Sequence, residues 1–183
     1  MTPTDRDDAA SPDTSGDAAW KEHTSAFDRV RAVALSLSEP RPASWIANEA
    51  LVAENTARRH LERLAELHVL ATDTTGNAVA YYPDAVYVRT RDIHDLVAEY
   101  DRGELTELAA NLKTDVESWE DEYGVASPDE LRSTAAAEDT SADEAMERRH
   151  TASDWELTAY RLSLIEDALS RYDEYSGTRP ATA

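Results

Sequence analysis

Between residues 54 and 67 stands a set of side chains suited to hydrogen-bond recognition: Asn55, Thr56, Arg58, Arg59 and Arg63. A guanidinium offers two parallel donors that match both acceptors on the major-groove edge of guanine, and a carboxamide pairs with adenine in the same way. A threonine hydroxyl near a helix start is placed for a phosphate oxygen. Ala57, Leu61, Leu64 and Leu67 interleave with these residues at the period of a half-buried helix. With that stripe turned inward, the opposite face presents Asn55, Arg58, Arg59, Glu62 and Arg63. The alternative is that Arg58, Arg59 and Arg63 only pair with Glu54, Glu62 and Glu66 at three- and four-residue spacing.

Other chemistry has little support. The five histidines (His23, His60, His68, His94, His150) are scattered, and no two have the spacing of a helical zinc motif. His60 and His68 read as packing or capping residues. The acids Glu117, Glu120, Asp121 and Glu122 read as a solvated helix face. Cysteine is absent, which excludes disulfides and thiolate sites. With five glycines and neither a phosphate loop nor a nucleophile elbow, we expect no enzyme, no cofactor and no metal. Trp119, Trp155, Tyr160, Tyr172 and Tyr175 read as bundle core or dimer interface in preference to an effector pocket.

The elements that position the arginines follow from periodicity. Residues 1–23 are rich in Asp, Ser, Thr, Pro and Ala without an apolar period, and are expected to form a disordered tail, with Trp20 solvated and its docking onto the folded part as the alternative. Phe27, Val30, Ala34 and Leu37 mark a helix over about 25–37, which Pro40 and Pro42 stop. A second helix, about 43–51, buries Trp45, Ile46 and Ala50, and the arginine-bearing helix follows over about 54–67. Two β-like runs, 69–72 and 78–82, flank the turn Asp73-Thr-Thr-Gly-Asn77.

The remainder reads as helices. Residues 84–100 begin ambiguously at Val86 and Val88 and continue as helix. Leu105, Leu108, Leu112, Val116 and Trp119 define a helix over about 104–122. Capping patterns start at Ser127, Ser141 and Ser153, and the last is expected to open a helix to about 175 bearing Leu162, Ile165, Leu169 and Tyr172.

The order helix, helix, turn, helix, hairpin, together with Ile46-Ala-Asn-Glu-Ala50, Thr56-Ala-Arg-Arg-His-Leu-Glu-Arg-Leu64 and Leu67-His-Val-Leu70, resembles the winged helix-turn-helix of ArsR- and MarR-type regulators over about residues 25–83. The whole chain looks most like haloarchaeal regulators that append an acidic helical region to this domain. That resemblance implies a recognition helix at about 54–67 in the major groove and a wing, with Thr75 and Asn77, on the flanking backbone. Three departures stand out. Leu51 occupies the place of the usual turn glycine, and His68 that of the glycine after the recognition helix. Ala53 replaces the usual capping serine, so the cap is expected to be shifted or missing at a cost of about 1 kcal/mol.

Charge sets the conditions. The formal net charge is −20, with 38 Asp and Glu, two lysines (Lys21, Lys113) and sixteen arginines. Excess acid with lysine nearly absent suits a protein working in molar salt, where charge keeps it soluble and screening relieves self-repulsion. The alternative is an acidic partner-binding protein in ordinary cytosol. Residues 41–91 carry six acids and six bases, whereas residues 92–183 carry twenty-four acids and eight bases. The expectation is a mainly α protein with a small β-hairpin wing. Its parts are a tail (1–23), a winged domain (24–90), a helical dimerisation or interaction region (91–176) and a second tail (177–183). It is read as a cytoplasmic DNA-binding regulator of a halophilic archaeon, acting on double-stranded DNA as a homodimer. No apolar run reaches bilayer length and no signal peptide precedes the first helix. The dimer surfaces are the stripe Leu105, Leu108, Leu112, Val116, Trp119 and the stripe Leu162, Ile165, Leu169, Tyr172, with packing of the two stripes inside one chain as the alternative. A winged-helix protein–protein interaction module without DNA binding is the alternative function.

Overall fold

Three of the four apolar stripe residues of 54–67 do what their period requires, whereas Leu67, expected inward with them, is the C-cap of the helix and is 54% exposed. Helix α4 (Glu54–Glu66) buries Ala57, Leu61 and Leu64 almost completely, and truncating either leucine to alanine should cost about 2–5 kcal/mol. The computed structural model describes residues 14–76, 78–137 and 140–177. They form a mainly helical protein with a small three-stranded antiparallel sheet, and the chain divides into two units, Met1–Val88 and Arg89–Ala183.

In the first unit, helices α1 (Thr14–His23), α2 (Ala26–Leu35) and α3 (Ala43–Glu49) precede α4. Strands β1 (Arg41–Pro42), β2 (Leu70–Asp73) and β3 (Ala80–Pro83) form a sheet in the order β1-β3-β2. The hairpin register pairs Thr72 with Tyr81 and Asp73 with Ala80. Val30, Ala34, Ile46, Leu61, Leu64 and Tyr81 make the centre of one core. Ser25 caps α2 by accepting the Asp28 N–H at 3.1 Å, which satisfies a donor the first turn leaves open.

Two other expectations for this unit are corrected. Residues 14–23 are helical where an irregular tail was expected; residues 1–13 lie outside the described residues. Trp20 is half-buried, with the Arg29 guanidinium carbon 6.0 Å from its ring centroid. Arg29 is itself buried, donating from Nε to the Ala50 carbonyl at 2.9 Å and from Nη1 to the Thr24 carbonyl at 2.6 Å. A buried charge needs such partners, and the carbonyls at two helix ends supply them. The segment read only as a helix stop contains β1, which pairs Arg41 with Tyr81 and Pro42 with Ala80. Proline is tolerated on this edge strand because it has no donor to lose there.

The second unit takes in most of α5 (Ala85–Glu99), then α6 (Arg102–Tyr123), α7 (Pro128–Thr134), α8 (Ala142–Ser170) and α9 (Tyr172–Ser176). Asp101 and Ser141 begin α6 and α8 with reciprocal capping boxes to Glu104 and Glu144. The bonds from Ser141 hold the Glu144 carboxyl below its ordinary range. Gly124 ends α6 at φ 64°, where only glycine sits without strain. One cluster gathers Leu105, Ile165 and Ala168, and a second gathers Leu131, Ala152 and Trp155. Arg89 ties α5 to α8, donating to the Asp167 carboxylate at 2.6 and 3.1 Å and to the Ser163 carbonyl at 3.2 Å.

Two further expectations change here. Ser153 does not open a helix: α8 is continuous through it, and its hydroxyl donates to the Arg149 carbonyl at 3.0 Å. The two stripes assigned to a dimer meet within the chain. Leu108, Leu112, Leu169 and Tyr172 pack around Leu105 and Ile165, while Val116 and Trp119 pack on the Trp155 cluster. Leu162 is half-buried and belongs to neither cluster.

Candidate nucleic-acid interface

Two helix ends determine how α4 is presented. At the end of α3, the Leu51 N–H donates to the Asn48 carbonyl at 3.1 Å and the Val52 N–H to the Ala47 carbonyl at 3.0 Å. At the end of α4, the His68 N–H donates to Ala65 at 3.0 Å and the Val69 N–H to Leu64 at 2.9 Å. Both are Schellman motifs, which need a left-handed residue just past the helix. Glycine normally fills that place, yet here Leu51 has φ 54° and His68 has φ 56°. Among the described residues these are the two non-glycine residues with positive φ. The two departures from the usual glycines thus keep the backbone that glycine would adopt, at a cost of about 1–2 kcal/mol each.

The N-terminus of α4 begins at Ala53, which is extended and supplies no side-chain cap, so the missing cap expected from sequence is absent in fact. Of the polar residues on α4, Asn55, Arg58, Arg59, Glu62 and Arg63 are exposed and Thr56 is half-buried. Arg58 pairs with Glu54. Arg63 pairs with Glu66 at 3.2 Å. Arg59 makes no hydrogen bond or ion pair among the described residues. The intrahelical pairing that spacing allowed is therefore realised for two arginines and not for the third. Because both pairs are exposed, each is worth well under about 1 kcal/mol and exchanges readily for another acceptor. His60 packs edge-on to Phe27 with ring centroids 5.5 Å apart, a packing role.

The hairpin turn has a single anionic feature. The Asp73 carboxylate accepts the Thr75 N–H at 2.8 Å and the Thr75 hydroxyl at 2.7 Å. These two bonds hold its carboxyl below the ordinary range. Thr75 thus spends its hydroxyl within the turn. Asn77 lies outside the described residues.

Sequence reasoning passed over two residues. A groove of about 360 Å³ runs beside α4 and brings Ser44, at the exposed start of α3, next to Arg58, Glu62 and Val79. Arg41, on β1, lays its guanidinium carbon 5.1 Å from the Trp45 ring centroid and pairs with Glu39. Ser44 is signalled by its place two residues after Pro42, at a helix start. Arg41 has no local signal, because its position depends on pairing with β3. Tyr81 backs the groove, and burial, reinforced by Glu62, pushes its hydroxyl above the ordinary range, so it stays neutral.

The arrangement can donate hydrogen bonds from one helix face to an acceptor-rich partner. No group of three or more metal-ligating side chains occurs among the described residues. No helix among them is long and apolar enough to cross a membrane. No curated protein and no solved structure matches the chain. A family model does match, over residues 24–174, and on that match the chain belongs to DUF7342, a family of unknown function.

Proposed function

We propose that the chain is a sequence-specific DNA-binding transcriptional regulator, with α4 in the major groove and the β2–β3 hairpin as a wing over the flanking backbone. One observation carries the reading. The exposed face of α4 presents Asn55, Arg58, Arg59 and Arg63 on a helix whose other face is locked into a core, and Arg59 is free of intrachain partners among the described residues. The order α2, α3, turn, α4, hairpin, with β1 completing the sheet, supports a winged helix-turn-helix. Ser44 stands where the preceding helix would reach a phosphate.

The composition supports work in the cytoplasm of a halophilic archaeon. At molar salt the Debye length is about 3 Å, so the acidic residues beyond 91 repel DNA little. Counterion release then contributes little as well, and affinity rests on short-range contacts and on a second copy of the chain. A homodimer places two recognition helices on successive groove faces.

The ionised Asp73 in a cation-free turn favours a second reading, a winged-helix interaction module that does not grip DNA. Anisotropy of the labelled DNA upstream of the coding sequence, titrated from sub-molar to molar KCl, separates the two. The regulator discriminates that DNA from unrelated duplex at molar KCl. Equal or absent binding to both duplexes at every salt concentration overturns it in favour of the module, and genome-wide occupancy mapping then identifies the sites of a true regulator.

A further inference from the structure

The second unit contains a cleft of about 540 Å³ between α5, α6 and α8. It lies within the size range of pockets for small organic ligands, and most of its wall is apolar, as such pockets are. Leu96, Leu108, Leu112 and Ile165 form the floor, where the packing of α6 on α8 stops short of filling the space. Leu157 and Tyr160 stand at the mouth and are 48% and 43% exposed. Apolar and aromatic side chains held open to solvent in this way are a standing cost unless something covers them.

The rim shows which chemistry would cover them. Asp92, Asp95 and Glu99 lie at positions i, i+3 and i+7 of α5, on one stripe of that helix along one lip. Asp92 is engaged by Arg91, with contacts of 2.8 and 3.2 Å. Asp95 and Glu99 are exposed, and Glu99 has no ion-pair partner among the described residues. The single opposing cation is Arg161 on the α8 side. With Asp92 held by Arg91 and the His94 imidazole 3.6 Å from Asp95, the carboxylates of Asp95 and Glu99 against the Arg161 guanidinium leave the mouth anionic. Tyr100 and Tyr160, also in the lining, offer ring faces that attract a cation.

We propose that this cleft binds an amphipathic organic cation, an aromatic or alicyclic body seated on the leucine floor with its charge held between the α5 carboxylates and the tyrosine rings. An anion of the same shape would meet the carboxylates and be rejected. A neutral molecule would gain the floor and forgo the lip. Molar salt leaves such a site working, because screening removes diffuse attraction to the acidic surface but not contact between a seated charge and its carboxylate. The site lies wholly within residues 92–165 and does not depend on DNA binding by α4.

The probe is rhodamine 6G, a planar lipophilic cation, against fluorescein, an anion with the same ring system. Both are followed by anisotropy with the full chain in molar KCl. The proposal expects saturable binding of rhodamine, one dye per chain, and none of fluorescein. Asp95→Asn and Glu99→Gln replace exposed side chains and should preserve the fold, and together they should weaken rhodamine about tenfold or more. Leu112→Trp, which fills the floor, should abolish binding with helical circular dichroism intact. Equal binding of the two dyes, or a rhodamine affinity unmoved by the Asp95/Glu99 double variant, overturns the proposal. So does a chain that takes up no dye yet is dimeric by light scattering and loses its partner on Tyr160→Glu, because the cleft then belongs to a second copy.

Discussion

Arg58 and Arg59 are neighbours of one type that must give up different things to reach a base. Arg58 has to leave Glu54, whereas the Arg59 side chain has no ion-pair or hydrogen-bond partner to leave among the described residues. Arg59→Ala should therefore cost about 1–3 kcal/mol of specific affinity, Arg58→Ala should cost less, and both should melt like the parent. Anisotropy at fixed salt checks the order, and two variants that bind like the parent would remove α4 as the docking face. The arginine face was legible from the spacing of Ala57, Leu61 and Leu64 alone. Which arginine is paired was not, because that is decided by side-chain rotamers and not by period. His68 offers a cleaner test of backbone. It is exposed and left-handed, so a glycine there loses no packing and relieves the steric cost. His68→Gly should stabilise the protein by about 1 kcal/mol in thermal melts, the relief outweighing the extra chain entropy. Leu51 shares the conformation, but its half-buried side chain confounds the same experiment.

At the scale of elements, long amphipathic helices were readable and short or context-dependent pieces were not. α4 and α6 fall within a residue or two of their expected bounds because each keeps an unbroken apolar stripe, that of α4 on one core and that of α6 on two successive clusters. β1 escaped notice because two residues carry no period and their pairing with β3 spans some forty positions. Ser153-Asp-Trp-Glu156 has the composition of a capping box. The residues before it are already helical, however, so its backbone has no open donor to cap and the hydroxyl turns back to Arg149. Helix α1 lacked an apolar stripe and is marked instead by Trp20 against Arg29. The meeting of α6 and α8 in one chain alters what a charge in their seam should do. Ile165→Asp places a carboxylate in the cluster around Leu105 and should unfold the second unit, at a cost of several kcal/mol. Loss of helical circular dichroism records that outcome. A variant that keeps its helicity and only halves its mass by light scattering would place Ile165 between two copies instead.

For the whole molecule the governing quantity is charge. A formal −20 on 183 residues implies strong self-repulsion at low ionic strength. Most of the excess lies beyond residue 91, where the helices carry acids along their solvent faces. Added salt shortens the reach of that repulsion, so the melting temperature should climb from dilute buffer to molar KCl. A flat profile would remove the adaptation to salt while leaving the fold intact. This expectation rests on composition alone, since lysine-poor acidity does not depend on topology.

The four tryptophans are divided evenly, Trp20 and Trp45 in the first unit and Trp119 and Trp155 in the second. Their surroundings give each unit its own optical signature. Trp119 and Trp155 lie 6.1 Å apart with planes inclined at 36°, close enough for their electronic transitions to couple and tilted enough for the coupling to be chiral. The second unit should therefore contribute an exciton couplet to circular dichroism, which Trp155→Phe abolishes. Trp20 and Trp45 each sit near a guanidinium, 6.0 and 5.1 Å from the ring centroids, so in a Trp119→Phe/Trp155→Phe variant the remaining emission follows the first unit. During heating, the couplet and the emission should act as separate clocks for the two units. A couplet that survives Trp155→Phe would show that the indole pair is not its source.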